Sequence, residues 1–199
     1  YFLIRKRKKR FYQKYQSQYI KSDRLEKPIR FVGLGLGTVG FGLILTNLIM
    51  KVLDGTPILD NAMRLMENAF SAQNTLQGII ILLVIIIGAP FVEELLFRGV
   101  LFEELNRVVS TKTTIILTAL IFALYHFNIL QTPNTFFMGL ILAYVYYNTR
   151  SIKAPIIVHL TNNLLATMPF IDQGFTPMGG AIYIGFLAIG IYSLRTLRK

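Results

Sequence analysis

Residues 78–92, "GIIILLVIIIGAPFV", carry no charged and no hydrogen-bonding side chain, and two adjacent glutamates, Glu93 and Glu94, follow them directly. With the apolar residues beyond the glutamates, the stretch exceeds the roughly 20 residues that an α-helix needs to cross a bilayer. In hydrocarbon every backbone N–H and C=O must be satisfied by the chain itself, so a spanning segment is helical and its neighbours are helices too. The remaining composition points the same way. The 199 residues are 53% hydrophobic and 16% charged, against about 25% charged in a soluble domain, and the mean hydropathy is +0.52. The chain has no cysteine, which excludes disulfides and thiolate chemistry.

Apolar segments at about Ile29–Val52, Leu76–Arg107, Thr113–Leu130, Pro133–Tyr147, Ala154–Phe170 and Met178–Leu194 predict an all-α polytopic membrane bundle of about six transmembrane helices. Short connections and the absence of a Ser/Pro-rich linker predict one membrane domain over residues 29–199. Between the first two spans, Thr56 is placed to cap a helix and Pro57 to open it. Leu59, Met63, Met66 and Phe70 then form one apolar stripe, which predicts a short amphipathic helix on the membrane surface, read as a structural connector. "GLGTVG" at 35–40 matches a dinucleotide fingerprint only in letters, because it lies inside an apolar run and follows no strand. Gly33 and Gly37 make a G-x-x-x-G suited to close helix packing.

The net charge of +11 is a terminal feature: residues 1–30 hold 11 Lys and Arg against Asp23 and Glu26. A basic segment beside apolar spans reads as a cytoplasmic juxtamembrane leader over residues 1–28, with anionic lipid head groups as its partner and no nucleic acid. The opening "YFLI" reads as the tail of a further helix that begins before residue 1. Alternating the spans from this leader puts Arg107, Lys112, Arg150, Lys153 and the basic C-terminus on the cytoplasmic side of a cell membrane.

Few strongly polar side chains remain inside the spans: Glu93, Glu94, Arg98, both histidines of the chain (His126 and His159), Asn162 and Asn163. An ionisable residue inside a membrane helix is costly and marks a functional site by default. Glu94 and Arg98 stand at i, i+4 and can pair on one helix face. Glu93 lies about 100° around the helix, with only Leu96 and Phe97 at its i+3 and i+4 positions. It therefore lacks a partner on its own helix and is the candidate general base. His159 and Asn163, again i, i+4, can face one cavity, where the Asn163 amide can donate to an oxyanion without titrating. Phe122, one turn before His126, is expected to position that histidine.

"EELLFR" (Glu93, Glu94, Arg98), "FALYH" (Phe122 to His126) and "HLTNN" (His159 to Asn163) together resemble the E-E-x-x-x-R, F-x-x-x-H and H-x-x-x-N motifs of the CPBP family. That family comprises CAAX-type prenyl-protein endopeptidases and bacteriocin-processing or self-immunity (Abi) membrane proteins. The three motifs occur in the family's order, on separate spans, over a core of about residues 75–170, and the chain looks like a bacterial member. The resemblance implies an intramembrane endopeptidase acting on a peptide or membrane-protein substrate. It implies Glu93 as the residue that activates water, Glu94 and Arg98 as its organising pair, His126 as the group that orients the water, and His159 and Asn163 as the oxyanion pair. Two mechanisms stay open: a divalent metal such as Zn held by Glu93, His126 and His159, or metal-free water activation by Glu93. A non-enzymatic scaffold or immunity protein that binds a peptide in the same cavity is the alternative. A proton-coupled transporter is disfavoured because the spans show no inverted repeat. The cavity is expected to open toward the basic leader.

Overall fold

The computed structural model describes residues 27–168 and 171–197, so the basic leader lies outside the described residues except for Lys27 and Pro28. The described residues form a helical membrane bundle without a strand. Helix α1 spans Ile29–Val52 and α2 spans Pro57–Phe70. Helix α3 runs unbroken over Thr75–Leu105. Helices α4 (Thr111–Leu124), α5 (Thr132–Thr149), α6 (Lys153–Ala166) and α7 (Pro177–Leu197) complete the described chain.

Local chemistry sets several of these boundaries. The Thr56 hydroxyl accepts the Leu59 N–H at the start of α2, as the sequence predicts, with Pro57 in the first turn. Asn74 and Ser110 cap α3 and α4 in the same way, through the N–H groups of Gln77 and Thr113. Helix α4 stops at Leu124, short of the predicted Leu130. Phe127, at φ 48°, takes the left-handed conformation that a helix cannot continue.

Among the described residues, α1, α3 and α7 are long and apolar enough to cross a membrane. The other spans are shorter: α4 has 14 residues, α5 has 18 and α6 has 14, or roughly 21–27 Å at 1.5 Å per residue. Their shared end borders a cavity lined by apolar residues and by several polar ones, including His126, Gln131 and Thr167, where a helix terminus at membrane depth is tolerated. Outward-facing residues of α3 such as Ile80, Val84, Val92 and Val100 are more than half exposed, as expected for a face solvated by lipid rather than water.

Helices α1 and α7 pack along each other, and α6 closes on the other flank of α1. The glycines of α1 make this approach possible. A Cβ on Gly37 would stand 2.6 Å from Gly190 Cα, and one on Gly35 would stand 2.5 Å from Thr161 Cβ. The small-residue stripe that mimics a nucleotide motif is thus a packing device. Inside, Leu34, Phe97, Phe122, Met138, Leu142 and Val158 join α1, α3, α4, α5 and α6 in one apolar cluster.

Candidate active site

The site is built around the middle of α3. Glu94 and Arg98 are fully buried and pair, with Arg98 Nη1 2.7 Å from Glu94 Oε1. Arg98 Nη2 donates to the Gly139 carbonyl of α5 at 3.2 Å, and the guanidinium carbon lies 4.8 Å from the centre of the Phe122 ring. The same Glu94 oxygen receives His159 Nδ1 at 2.8 Å. One carboxylate oxygen thus holds α3 to itself and to α6, and Arg98 extends the network to α5. Buried charge is tolerated only when paired and hydrogen-bonded in this way.

Glu93 stands apart from that network. Its side chain keeps 16% of its accessible surface, and its Oε2 lies 3.7 Å from His159 Nε2. His159 therefore sits between the two glutamates, one nitrogen hydrogen-bonded to Glu94 and the other facing Glu93. His126 lies one residue beyond the C-cap of α4, with Nδ1 2.9 Å from the Phe122 carbonyl. A carbonyl only accepts, so Nδ1 carries the hydrogen and Nε2 of the neutral ring is an acceptor. The Phe122 ring meets both imidazoles edge-on, with centroids 5.0 Å from His126 and 5.8 Å from His159. Its position matches the expectation of a ring that holds the histidine, and it also touches the second one.

Asn163 makes a contact that the sequence does not announce: its amide donates to the Ile85 carbonyl of α3 at 2.9 Å. Residues Val84–Gly88 form a wide π-helical turn in which Ala89 N–H reaches Val84 O. The next donor in that register is residue 90, a proline with no N–H. The Ile85 carbonyl is thereby left open, and Asn163 takes it. Asn162, one of the polar residues of the spans, accepts from the Thr38 hydroxyl at 2.9 Å and donates to Asn163 Oδ1 at 3.3 Å. Thr38 belongs to α1, and sequence reasoning missed it. A lone threonine in an apolar helix ordinarily bonds back to its own turn, as Thr38 also does to Gly35 O.

Glu93, His126, His159, Asn162 and Asn163 line one cavity of about 660 Å³, within the ~300–1,000 Å³ range of ligand pockets. Glu94 and Arg98 lie behind its wall. The cavity also takes Thr46 from α1, Met66 and Phe70 from α2, and Gln131 from the start of α5. All of these belong to the end of the bundle opposite Arg107, Lys112 and Arg150. The expected opening toward the basic end is therefore corrected. Helices α4 and α6 terminate early at the other end, which leaves the depression there. Helix α2 is also more than a connector: it forms part of the cavity wall, and Asn128, in the turn after α4, pins it by donating to Ala62 O at 3.1 Å.

As arranged, Glu93, His126 and His159 do not fit a three-ligand metal centre. Among the described residues no three His, Asp or Glu side chains gather closely enough to hold an ion. His159 Nδ1 is engaged by Glu94, and His126 does not complete a set with Glu93 and His159.

Comparison with known proteins bears on the same segment. The Type II CAAX prenyl endopeptidase Rce1-like family model matches residues 75–165, which hold every motif residue described above. The membrane-embedded CAAX protease MroQ of Staphylococcus aureus (strain USA300) is 40% identical over 91 residues, a match that covers 43% of this chain and 36% of that protein. The chain therefore aligns with little more than a third of its relative's length. No solved structure shows a significant match to it. Motif order and the convergence of three helices on one cavity fall within residues 75–165, the segment that is similar to the Rce1-like CAAX prenyl endopeptidases.

Proposed function

We propose that the chain hydrolyses a peptide bond of a membrane-associated peptide or protein, with Glu93 as the base that activates water. The division between the two glutamates carries this reading. Glu94 is engaged through Oε1 by Arg98 and His159, whereas Glu93 borders the cavity and, among the described residues, has no charged partner closer than 3.7 Å. A water held between Glu93 and His126 Nε2 would give one hydrogen bond to each. As its oxygen attacks the scissile carbonyl, the proton passes to Glu93 and later to the leaving amine, so that one carboxylate serves as base and then acid. The developing oxyanion needs donors. Asn163 Nδ2 carries two hydrogens and spends one on Ile85, and His159 Nε2 is a second donor when the ring is protonated. Glu94 and Arg98 act through His159 and are positioning residues. The basic leader would keep the end that carries Arg107, Lys112 and Arg150, opposite the cavity, at the anionic cytoplasmic leaflet.

The test is expression of Glu93→Gln and His126→Ala beside the wild type, with proteomics of small membrane and secreted peptides. Peptides released by the wild type should vanish in both variants. Release unchanged in Glu93→Gln would sink the assignment, and it would favour a cavity that binds a peptide without cutting it.

A further inference from the structure

We infer that Thr38 and Asn162 are positioning residues for Asn163. They form a one-way hydrogen-bonded chain that keeps the Asn163 amide turned so that an N–H, and not its oxygen, is offered to the cavity. The inference rests on the endopeptidase reading for what that N–H does. It goes beyond that reading by bringing α1, which carries none of the motif residues, into the site.

The sense of the chain follows from its last member. The Ile85 carbonyl can only accept, so the atom that Asn163 places 2.9 Å from it is Nδ2. Asn163 Oδ1 then points the other way, toward Asn162, and lies 3.3 Å from its Nδ2. Asn162 must donate there, which leaves its own Oδ1 facing Thr38 Oγ1 at 2.9 Å. Thr38 in turn has to donate. Its hydroxyl carries one hydrogen and also lies 2.8 Å from Gly35 O. In an α-helix that carbonyl already receives the Val39 N–H, whereas Thr38 is the donor that Asn162 Oδ1 has. The hydrogen goes to Asn162, and every link from Thr38 to Ile85 runs in one direction.

Such a chain removes a specific hazard. The terminal torsion of an asparagine is broad and roughly two-fold, so Asn163 alone could present either end of its amide to the cavity that it lines. An oxygen turned toward a developing oxyanion repels it, while a fixed N–H stabilises it without reorganisation. A half-turn of Asn163 would set its oxygen against the Ile85 carbonyl and its nitrogen against Asn162 Nδ2, and both contacts would become repulsive. Turning Asn162 as well relieves only the second of these. Thr38 keeps 5% of its surface, so the first link is shielded from water. Its reach depends on the close approach of α1 to α6 at Gly35, one turn earlier, where a Cβ would stand 2.5 Å from Thr161 Cβ.

Full-length protein carrying isotope-labelled asparagine is purified in detergent, and the side-chain amide signals of Asn162 and Asn163 are assigned in NMR spectra by their loss in Asn162→Leu and Asn163→Ala. Thr38→Val keeps the side chain's shape and removes the donor. It should displace both signals, and Thr38→Ser, which restores the hydroxyl, should return them. Asn162→Leu cuts the second link and should displace the Asn163 signal. A Thr38→Val shift confined to Asn162, or an Asn163 signal unmoved in Asn162→Leu, overturns the chain. In cells holding equal amounts of each variant, the measure is release of those peptides that Glu93→Gln fails to release. Thr38→Val should lower it about tenfold, less than the roughly 10²–10³-fold cost of losing an oxyanion donor outright, and Thr38→Ser should recover most of it. Thr38→Val combined with Asn163→Ala should release no less than Asn163→Ala alone, because residues that act as a unit are not additive. A further drop in the double variant, or undiminished release in Thr38→Val, overturns the positioning role. If Glu93→Gln releases as much as the wild type, the endopeptidase reading falls by itself. The spectra need no turnover and still decide the chain.

Discussion

His159 Nδ1 meets Glu94 Oε1 at 2.8 Å while its Nε2 faces Glu93 Oε2 at 3.7 Å, so one imidazole bridges the two adjacent carboxylates of α3. Neighbouring residues on a helix point about 100° apart, and a ring entering from α6 fills the angle between them. Two chemically identical side chains thereby acquire different surroundings, one closed by Arg98 and the other bordering the cavity.

Different outcomes should follow from the same substitution at the two positions. Glu94→Gln removes the charge facing Arg98, which is fully buried. Breaking one side of a buried ion pair costs about 3–5 kcal/mol. Thermal unfolding of purified Glu94→Gln in detergent should show a clear loss of stability together with lost activity. Glu93→Gln should retain wild-type unfolding and lose activity by orders of magnitude. Equal stability and equal inactivity in both would remove the distinction between base and organiser.

Much of this site is visible in the sequence, because charge inside an apolar helix is costly and few residues carry it. The i, i+4 pairing of Glu94 with Arg98 follows from helix geometry alone. What is not legible arises from departures from regular helix. The π-helical turn before Pro90, which gives Asn163 its carbonyl partner, has no period in the sequence. The left-handed Phe127 that ends α4 has no signal either, since Phe rarely adopts that conformation. Ending α4 and α6 early puts the cavity at the α2 end, so the direction of opening could not be read from apolar runs that looked equally long.

Asn163→Ala should lower kcat by roughly 10²–10³-fold, the cost of an oxyanion donor, with KM little changed. It should also lower stability by about 1–3 kcal/mol, because the Ile85 carbonyl loses its partner. Full stability with reduced kcat would mean that water replaces the amide at Ile85. Unchanged kcat would remove Asn163 from the oxyanion pair.

The contact of α1 with α7 should fail on the smallest enlargement. Gly37→Ala places a Cβ 2.6 Å from Gly190 Cα, with backbone rather than a flexible side chain in the way. The helices must separate, at about 1–3 kcal/mol for overpacking. Gly99→Ala, with nothing within 4 Å of the added carbon, serves as the control. Unfolding temperatures of the two variants decide it.

Asp172, in the connection between α6 and α7, should make that connection sensitive to acid. Burial works to raise its carboxyl, but hydrogen bonds from the Tyr183 hydroxyl, the Gly174 N–H and the Asn47 amide outweigh it, and the group titrates below its usual value. A depressed carboxylate contributes stability above its unfolded value, near pH 4, and that contribution is lost as pH falls through the folded value. Asp172→Asn should therefore lower stability at neutral pH, and its difference from the wild type should shrink below about pH 4. A difference that stays constant with pH would assign the effect to packing.

Metal dependence separates the two mechanisms left open by the motifs. An ion shared by Glu93, His126 and His159 would need each donor at roughly 2.0–2.2 Å, and its affinity would fall in acid because both imidazoles must be neutral. The present arrangement instead commits His159 Nδ1 to Glu94 and His126 Nδ1 to the Phe122 carbonyl, with no three-donor cluster among the described residues. Glu93 acting directly on water predicts full peptide cleavage after exhaustive chelation, with less than stoichiometric metal by elemental analysis. It also predicts no gain on adding Zn or Mn. Activity abolished by chelation and restored by Zn in proportion to bound metal would overturn this mechanism. It would require His126 and His159 to swing toward Glu93, which a metal-loaded structure would reveal as a shortening of the 3.7 Å gap between Glu93 Oε2 and His159 Nε2.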